Sequence, residues 1–407
     1  MSLQSDLPYR ALVAVVRCTS YEQEVVDAAV KRGIGLLGGA ELFAAPGEKI
    51  VFKPNVLWGT DPSKGIVTHP SVLRAVIGSF SASGAELQYG DSSAGLPNEA
   101  KSMRRCGYME ALKALPVSHV SFLKKKVVEW PEGIAGKKLE LAEAVVDADG
   151  VINLPKLKTH GLVRMTGAVK NCFGCIPGAT KGAYHARFPD VYDFSNLLAD
   201  IATCVRPRLH IMDAVEAMEG NGPQSGSPKK LGVLLFSTDP VALDSIACRL
   251  IHLDTRYVPT IVAAERTGLG IGNPQQIDLT GDPIEEFIDR SFDVLRAAPV
   301  RIASDGILKN VKRFFLPRPV IRKNRCTRCG RCVSVCPVQP PALKHIDTVL
   351  PPVYDYRICI RCYCCQEVCP SKAIVIREPL MARVLPYMTY IALLVTRHRT
   401  RAIRSTD

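Results

Sequence analysis

The chain has 407 residues, 47% of them apolar and 22% charged, which is ordinary globular usage and leaves room for two or three domains. Its 30 Gly and 29 Pro follow no period, which excludes collagen-like and low-complexity organisation. The formal net charge of +13 is unevenly placed: residues 301–407 hold 20 Lys and Arg against 6 Asp and Glu, whereas residues 1–300 are close to balanced.

The first residues, MSLQSDLPYR, are polar and contain no apolar signal core. No uninterrupted apolar run reaches the ~18 residues that span a bilayer. The longest candidate, residues 380–395, is broken by Arg383 and Pro386. These features predict a cytoplasmic protein.

In chain order, the short β-branched run at 11–16 reads as a buried strand. Residues 21–37 have helical spacing and stop at Gly38-Gly39, and 49–52 reads as the next strand. A helix over 70–83 precedes a strand at 85–89. Further strands are expected at 150–154, 209–212 and 231–236, and helices at 191–205, 240–251 and 258–267. Strands alternating with helices predict an α/β domain over residues 1–300, its sheet mostly parallel or mixed and its helices on both faces. Polar segments that follow strands, such as Lys53-Pro54-Asn55, Asp91-Ser92-Ser93 and Pro155-Lys156-Leu157-Lys158, mark where a ligand would be met. Residues 301–325 read as a basic linker, 326–376 as a small α+β ferredoxin-like module, and 377–407 as an amphipathic tail ending in Arg397, Arg399, Arg401 and Arg404.

Nine of the fifteen cysteines lie between Cys326 and Cys369. Disulfides are rare in the cytoplasm, so this density predicts metal or redox chemistry. Cys326, Cys329, Cys332 and Cys336-Pro337 form one run, and Cys359, Cys362, Cys365 and Cys369-Pro370 another, each spaced C-x-x-C-x-x-C-x-x-x-C-P. That duplicated spacing is the bacterial two-cluster ferredoxin pattern, in which the fourth cysteine of each run serves the other cluster. Two 4Fe–4S clusters are therefore expected, one on Cys326, Cys329, Cys332 and Cys369, the other on Cys359, Cys362, Cys365 and Cys336. A zinc site would show pairs of thiols at one spacing rather than repeated fours. Cys364 is the odd cysteine, read as a small buried residue rather than a rival ligand. Cys172 and Cys175 form a lone C-x-x-C, read as packing thiols.

Residues 150–189 contain Lys156, Lys158, Arg164, Lys170, Lys181 and Arg187 and no Asp or Glu. Surfaces normally mix charge signs, and the interleaved glycines allow close backbone approach, so this segment reads as an anion-binding pocket. Lysine and histidine in it can donate protons, because burial beside other cations lowers a lysine pKa. Lys158 and His160 are the candidate catalytic residues. The acidic then glycine-rich 213–226 either faces this segment or forms a turn. Gly268, Gly270 and Gly272 follow a helix and are not a dinucleotide fingerprint, and no Walker A sequence is present.

Several of these pieces resemble one family, that of the domain of unknown function 362, in its form with a C-terminal ferredoxin module. They are Lys53-Pro54-Asn55, Gly90-Asp91-Ser92, residues 151–160 (VINLPKLKTH), residues 167–174 (GAVKNCFG), His185, Asp213-Ala214, residues 219–223 (EGNGP), residues 237–240 (STDP), Asp244 and the cysteine runs. The resemblance implies a redox-active iron–sulfur protein and does not fix a reaction. Together with the residues it predicts an oxidoreductase. Its two clusters would pass single electrons between an acidic carrier such as a ferredoxin and an anionic small molecule. Lys53, Asn55, Asp91, Lys156, Lys158, His160, Lys170, Asn171 and His185 would line the pocket. A flavin or deazaflavin would couple one-electron clusters to a two-electron substrate. The other reading is a non-enzymatic electron-transfer or assembly protein whose α/β domain binds a partner protein. Nucleic acid is disfavoured, because the basic C-terminal region carries no recognised motif. The tail would allow peripheral contact with the inner face of a membrane.

Overall fold

The computed structural model describes residues 10–93, 99–299, 316–347 and 349–377. The strands of the first part are β1 (Ala11–Arg17), β2 (Lys49–Pro54), β3 (Glu86–Tyr89), β4 (Val117–His119), β5 (Lys125–Glu129), β6 (Lys138–Ala142), β7 (Gly150–Leu154), β8 (Lys156–His160), β9 (Arg164–Thr166), β10 (Leu209–Glu219), β11 (Ser227–Ser237) and β12 (Ile277–Gly281). Ten of them make one sheet, in the order β12-β1-β11-β10-β7-β2-β3-β4, with β8 attached to β10 and β9 attached to β8. The strands from β10 to β4 run parallel, whereas β11 is antiparallel to both β10 and β1. The sheet is therefore mixed. β5 and β6 form a separate antiparallel hairpin.

Strand periodicity divides the core into two layers, because successive side chains point to opposite faces. Val13 and Val15 enter one apolar cluster, with the helices Val191–Val205, Pro240–Leu250 and Pro259–Arg266. Ala14 and Val16 enter the other, with the helices Gln23–Leu36 and Pro70–Phe80. The helices start where their sequence caps them. Asp190 accepts from the Tyr192 and Asp193 amides, and Asp239, followed by Pro240, accepts from those of Val241 and Ala242. Gly33 is fixed by close approach: a Cβ there would lie 2.2 Å from the Phe236 ring of β11.

The expected strands and long helices are present within a few residues of their boundaries. Three features differ. Lys156–His160, read as a polar connection, is a fully buried strand. β10 continues through Glu219, so Asp213, Val215 and Ala217 are strand rather than turn. β12 was not anticipated; its short QIDLTG stretch is held by parallel pairing with β1.

The cysteine-rich module adds β13 (Arg318–Ile321), β14 (Leu343–Lys344), β15 (Val353–Tyr354) and β16 (Ile374–Arg377), with one-turn helices at Arg331–Ser334 and Cys364–Glu367. β13 pairs antiparallel with β16, so residues 318–321 of the expected linker are a strand of this module. Its Pro319 is tolerated because the pair has only edges. Among the described residues no helix is long and apolar enough to cross a membrane; the tail after residue 377 lies outside them.

Replacing Gly33 by Val overpacks the contact between helix Gln23–Leu36 and β11. A loss of about 1–3 kcal/mol is expected, measured as a lower denaturant midpoint with an unchanged far-ultraviolet spectrum.

Candidate functional site

The carboxyl ends of the parallel strands β2, β3 and β7 open onto one cavity of about 590 Å³, as expected for an open α/β sheet. Its other wall is the cysteine-rich module, which contributes Val335, Cys336, Pro337, Cys364, Glu367 and Val368. The two parts are joined by polar contacts. Gln366 Nε2 donates to the backbone oxygens of Asn221 (2.9 Å) and Gly222 (3.1 Å), Asn221 Nδ2 donates to Ile374 O at 3.1 Å, and Lys372 Nζ donates to Gly226 O at 3.0 Å.

Of the expected pocket residues, Asn55, Asp91, Lys158, His160, Lys170, Asn171 and His185 line this cavity. Lys53 and Lys156 do not. Lys53 lies beneath the floor, paired with Asp91 at 2.9 Å, under Gly174. A Cβ on Gly174 would sit 2.2 Å from Asp91 Oδ1 and 2.4 Å from Lys53 Nζ, so a side chain there would push the pair apart. Lys156 is paired with Asp213 at 2.8 Å and bonded to the Tyr21 hydroxyl, so it neutralises a charge inside the sheet. Asp213 also accepts from the His69 amide. The 213–226 stretch thus faces the basic segment through Asp213.

Three cavity lysines have no carboxylate within ion-pair distance among the described residues: Lys158, Lys170 and Lys181. Lys158 Nζ donates to Asn55 Oδ1 (3.2 Å) and Ile66 O (2.8 Å). Burial, then Lys170 and Lys156, bring it down to about 7. Lys181 donates to Ser92 O and is brought down to about 8 by burial and Lys53, against the pull of Asp91. Lys170 is lowered by burial, with Glu367 opposing; it stands 5.5 Å from the Phe173 ring centre. Each lysine loses cationic character because its charge is desolvated without a counter-charge, and an anion in the cavity would restore it. Ser92 Oγ and Trp58 Nε1, both buried and both on cavity-lining residues, have no hydrogen-bond partner among the described residues.

His160 has close partners on both ring nitrogens. Nδ1 accepts from the Leu162 amide at 3.1 Å, so the proton is placed on Nε2, which lies 3.1 Å from Glu367 Oε1. Burial and Lys170 lower its pKa, which keeps the ring neutral. Burial of Glu367 would raise its carboxyl, but His160 and the nearby Lys170 outweigh this and hold it at about 2. The pair therefore spans the two parts of the molecule as neutral imidazole and carboxylate. His160, a candidate catalytic residue from the sequence, thus lies where the cysteine-rich module meets the α/β domain. His185 is lowered to about 4 by burial, against the pull of Glu367, and stacks on Phe194 at 4.4 Å.

The cysteines separate as their spacing predicts. Cys326, Cys329, Cys332 and Cys369 line one small cavity; Cys336, Cys359, Cys362 and Cys365 line another. Among the described residues no three His, Cys, Asp or Glu side chains are gathered in a way that would hold a metal ion, so each quartet surrounds a space rather than a point. The chemistry of these spaces suits an anionic iron–sulfur cluster. Thiol sulfurs receive hydrogen bonds from the amides of Arg328 (3.4 Å), Ala342 (3.3 Å) and Ala373 (3.3 Å). Arg328 and Gly330 in the first run, and Arg361 and Tyr363 in the second, have positive φ, which curls each loop and turns its amides inward. Cys336 belongs both to a quartet and to the wall of the large cavity. Cys364 also reaches that cavity and bonds to Cys362, itself held below the ordinary thiol value by that bond. Cys172 and Cys175 are buried, free and raised by desolvation, Cys175 to about 12, as packing thiols are.

Glu367, Gln366 and Trp58 were not singled out by sequence reasoning, and Lys181 and Ser92 were named only within longer polar segments. Glu367 and Gln366 had a signal. Aligning the two runs sets Tyr363, Cys364, Gln366 and Glu367 against Gly330, Arg331, Val333 and Ser334, and these departures make the second run's contacts with the α/β domain.

Residues 50–249 match the family described as "Domain of unknown function (DUF362)", and residues 318–370 match the 4Fe-4S dicluster domain. The chain is 36% identical over 310 residues to the "Thylakoid-associated protein sll1697" of Synechocystis sp. (strain ATCC 27184 / PCC 6803 / Kazusa), covering 75% of this chain and 95% of that relative. This is an iron–sulfur protein of the α/β class, and it belongs to the family of the domain of unknown function 362 with a C-terminal 4Fe–4S domain. Among solved structures, the lactate racemase apoprotein from Thermoanaerobacterium thermosaccharolyticum overlaps 60% of this chain and 58% of its own, at 13% identity and a TM-score of 0.39.

The lysines make anion affinity pH-dependent. Sulfate does not titrate near neutrality, so it reports the protein alone. Lys158 is cationic below about pH 7 and Lys181 below about pH 8. Sulfate affinity by calorimetry is expected to fall about tenfold from about pH 6 to pH 9. Lys158→Arg keeps its charge and flattens the lower part of that fall.

Proposed function

We propose that this protein is an oxidoreductase that moves single electrons through two 4Fe–4S clusters to or from an anionic organic molecule in the 590 Å³ cavity. One observation carries the reading: Cys336, a member of the second quartet, shares that cavity with Lys158, Lys170 and Lys181. The volume suits a cofactor-sized ligand. Unpaired lysines suit a phosphate or carboxylate, and Trp58 and Phe173 offer aromatic surface beside them.

A flavin or deazaflavin fits these requirements, since it exchanges electrons singly with a cluster and in pairs with a substrate. Iron–sulfur clusters supply the single electrons. The chain's own residues do the rest. Lys158 and Lys181 bind the anionic end. Lys158 Nζ, at about 7, gives up the proton that accompanies reduction and takes one back in the reverse direction. The His160–Glu367 contact holds the cluster-bearing wall against the lysine-bearing wall. The amides around the quartets stabilise bound clusters and set their potential.

The Synechocystis relative is named as thylakoid-associated, which supports a place for this protein beside a membrane surface. Comparing membrane and soluble fractions of the chain with and without residues 380–407 tests that; equal distribution removes the tail from the argument.

The decisive experiment is anaerobic. The clusters are reduced with dithionite, and their visible bleaching is followed as flavin mononucleotide, a deazaflavin or a small quinone is added. One acceptor class is expected to reoxidise the clusters stoichiometrically, with Lys158→Ala slowing this at least about tenfold at full iron content. If no acceptor reoxidises them, the non-enzymatic carrier reading replaces this one.

Ligand substitutions test the cluster count. Cys329→Ala and Cys336→Ala are each expected to lose about half the iron and labile sulfide. Only Cys336→Ala, which empties the quartet beside the cavity, also abolishes reoxidation by the acceptor.

A further inference from the structure

The two quartets face different surroundings. No cysteine of the second is exposed, whereas Cys329 of the first is. Beside Cys329 stands the hairpin of β14 and β15, whose connection presents Ile346 at 71% exposure, Val349 at 69% and Leu350 at 49%. Exposed aliphatic side chains grouped in this way mark an interaction site. The hairpin is tied to the first run, because Arg328 Nη1 donates to Val349 O at 2.9 Å and His345 Nε2 lies 3.5 Å from a Cβ built on Gly330. Cations rim it: Arg328, Arg331 and Lys344 are all exposed. Asp347 on the same connection is exposed and accepts from the Val349 and Leu350 amides.

We propose that this face, Cys329 with Ile346, Val349 and Leu350 inside a rim of Arg328, Arg331 and Lys344, docks an acidic electron-carrier protein that exchanges one electron at a time with the first cluster. The inference rests on the redox reading above and adds where electrons cross the protein surface. A small apolar centre inside a charged rim is the form of brief electron-transfer contacts, which bury under about 1,200 Å², and the rim steers an acidic partner. The exposed cluster ligand at its centre favours a redox protein over a membrane, which has no need of a thiolate edge.

The test is stopped-flow reduction of the cluster-loaded, full-length protein by a reduced acidic two-iron ferredoxin. The second-order rate constant is expected to fall steeply with added salt, at least about tenfold in Lys344→Glu and in Arg331→Glu, and several-fold in Ile346→Asp. Reduction by dithionite and the cluster absorbance stay unchanged, which shows that the variants are folded and loaded. Unchanged rates in all three variants overturn the proposal. So does loss of binding to phosphatidylglycerol vesicles in the same variants while the ferredoxin rate holds, since the face then belongs to a membrane. The cavity reading is judged separately, because acceptor reoxidation after dithionite reduction does not use this face.

Discussion

Strand β8 organises the molecule. Residues two apart on a strand share a face, so Lys156, Lys158 and His160 project to one side over about 13 Å. Their partners change along the way. Lys156 meets Asp213 inside the sheet, Lys158 meets only neutral oxygens at the cavity, and His160 meets Glu367 of the cysteine-rich module. The first charge is neutralised, the second has no carboxylate within ion-pair distance among the described residues, and the third residue touches the other module. Burying charged groups is costly unless they are paired or shed their charge; Lys156 does the former and Lys158 leans towards the latter.

That arrangement explains which parts were legible in the sequence. The cysteine quartets were, because three ligands of each cluster must come from one tight local turn, and local spacing is written directly in the chain. The apolar strands and capped helices were legible for the same reason. β8 was not, since its pattern is inside-out: its cations point into the protein, and the segment reads as a polar connection that meets a ligand rather than as a buried strand. Only Asp213 and Glu367, 57 and about 200 positions away, make that burial tolerable. Likewise no local rule separates Lys53 and Lys156, which have carboxylate partners, from Lys158, Lys170 and Lys181, which have none among the described residues.

The two cysteine runs show how a duplicated element acquires two roles. Their quartets and positive-φ positions correspond, so the metal-binding frame is the same in both. The residues between the cysteines differ. Polar and aromatic side chains in the second run meet the α/β domain, whereas Arg331, the match of Cys364 in the first, is exposed. Residues of both runs line the cavity, but only the first run exposes a cysteine, Cys329, on the outer surface, which gives the pair of quartets a direction.

The quartet beside the cavity takes Cys336 from the first run and three cysteines from the second. A chain grows from its amino terminus, and domains fold as they emerge. The α/β domain, with its lysines and its open strand ends, is therefore complete while the wall opposite does not yet exist. Glu367 and Gln366, which seat that wall, are among the last described residues to be made. Any ligand of the cavity would thus meet a shallow, open basin on the nascent protein and a walled chamber only on the finished one, so the order of synthesis would itself separate the time of first contact from the time of enclosure.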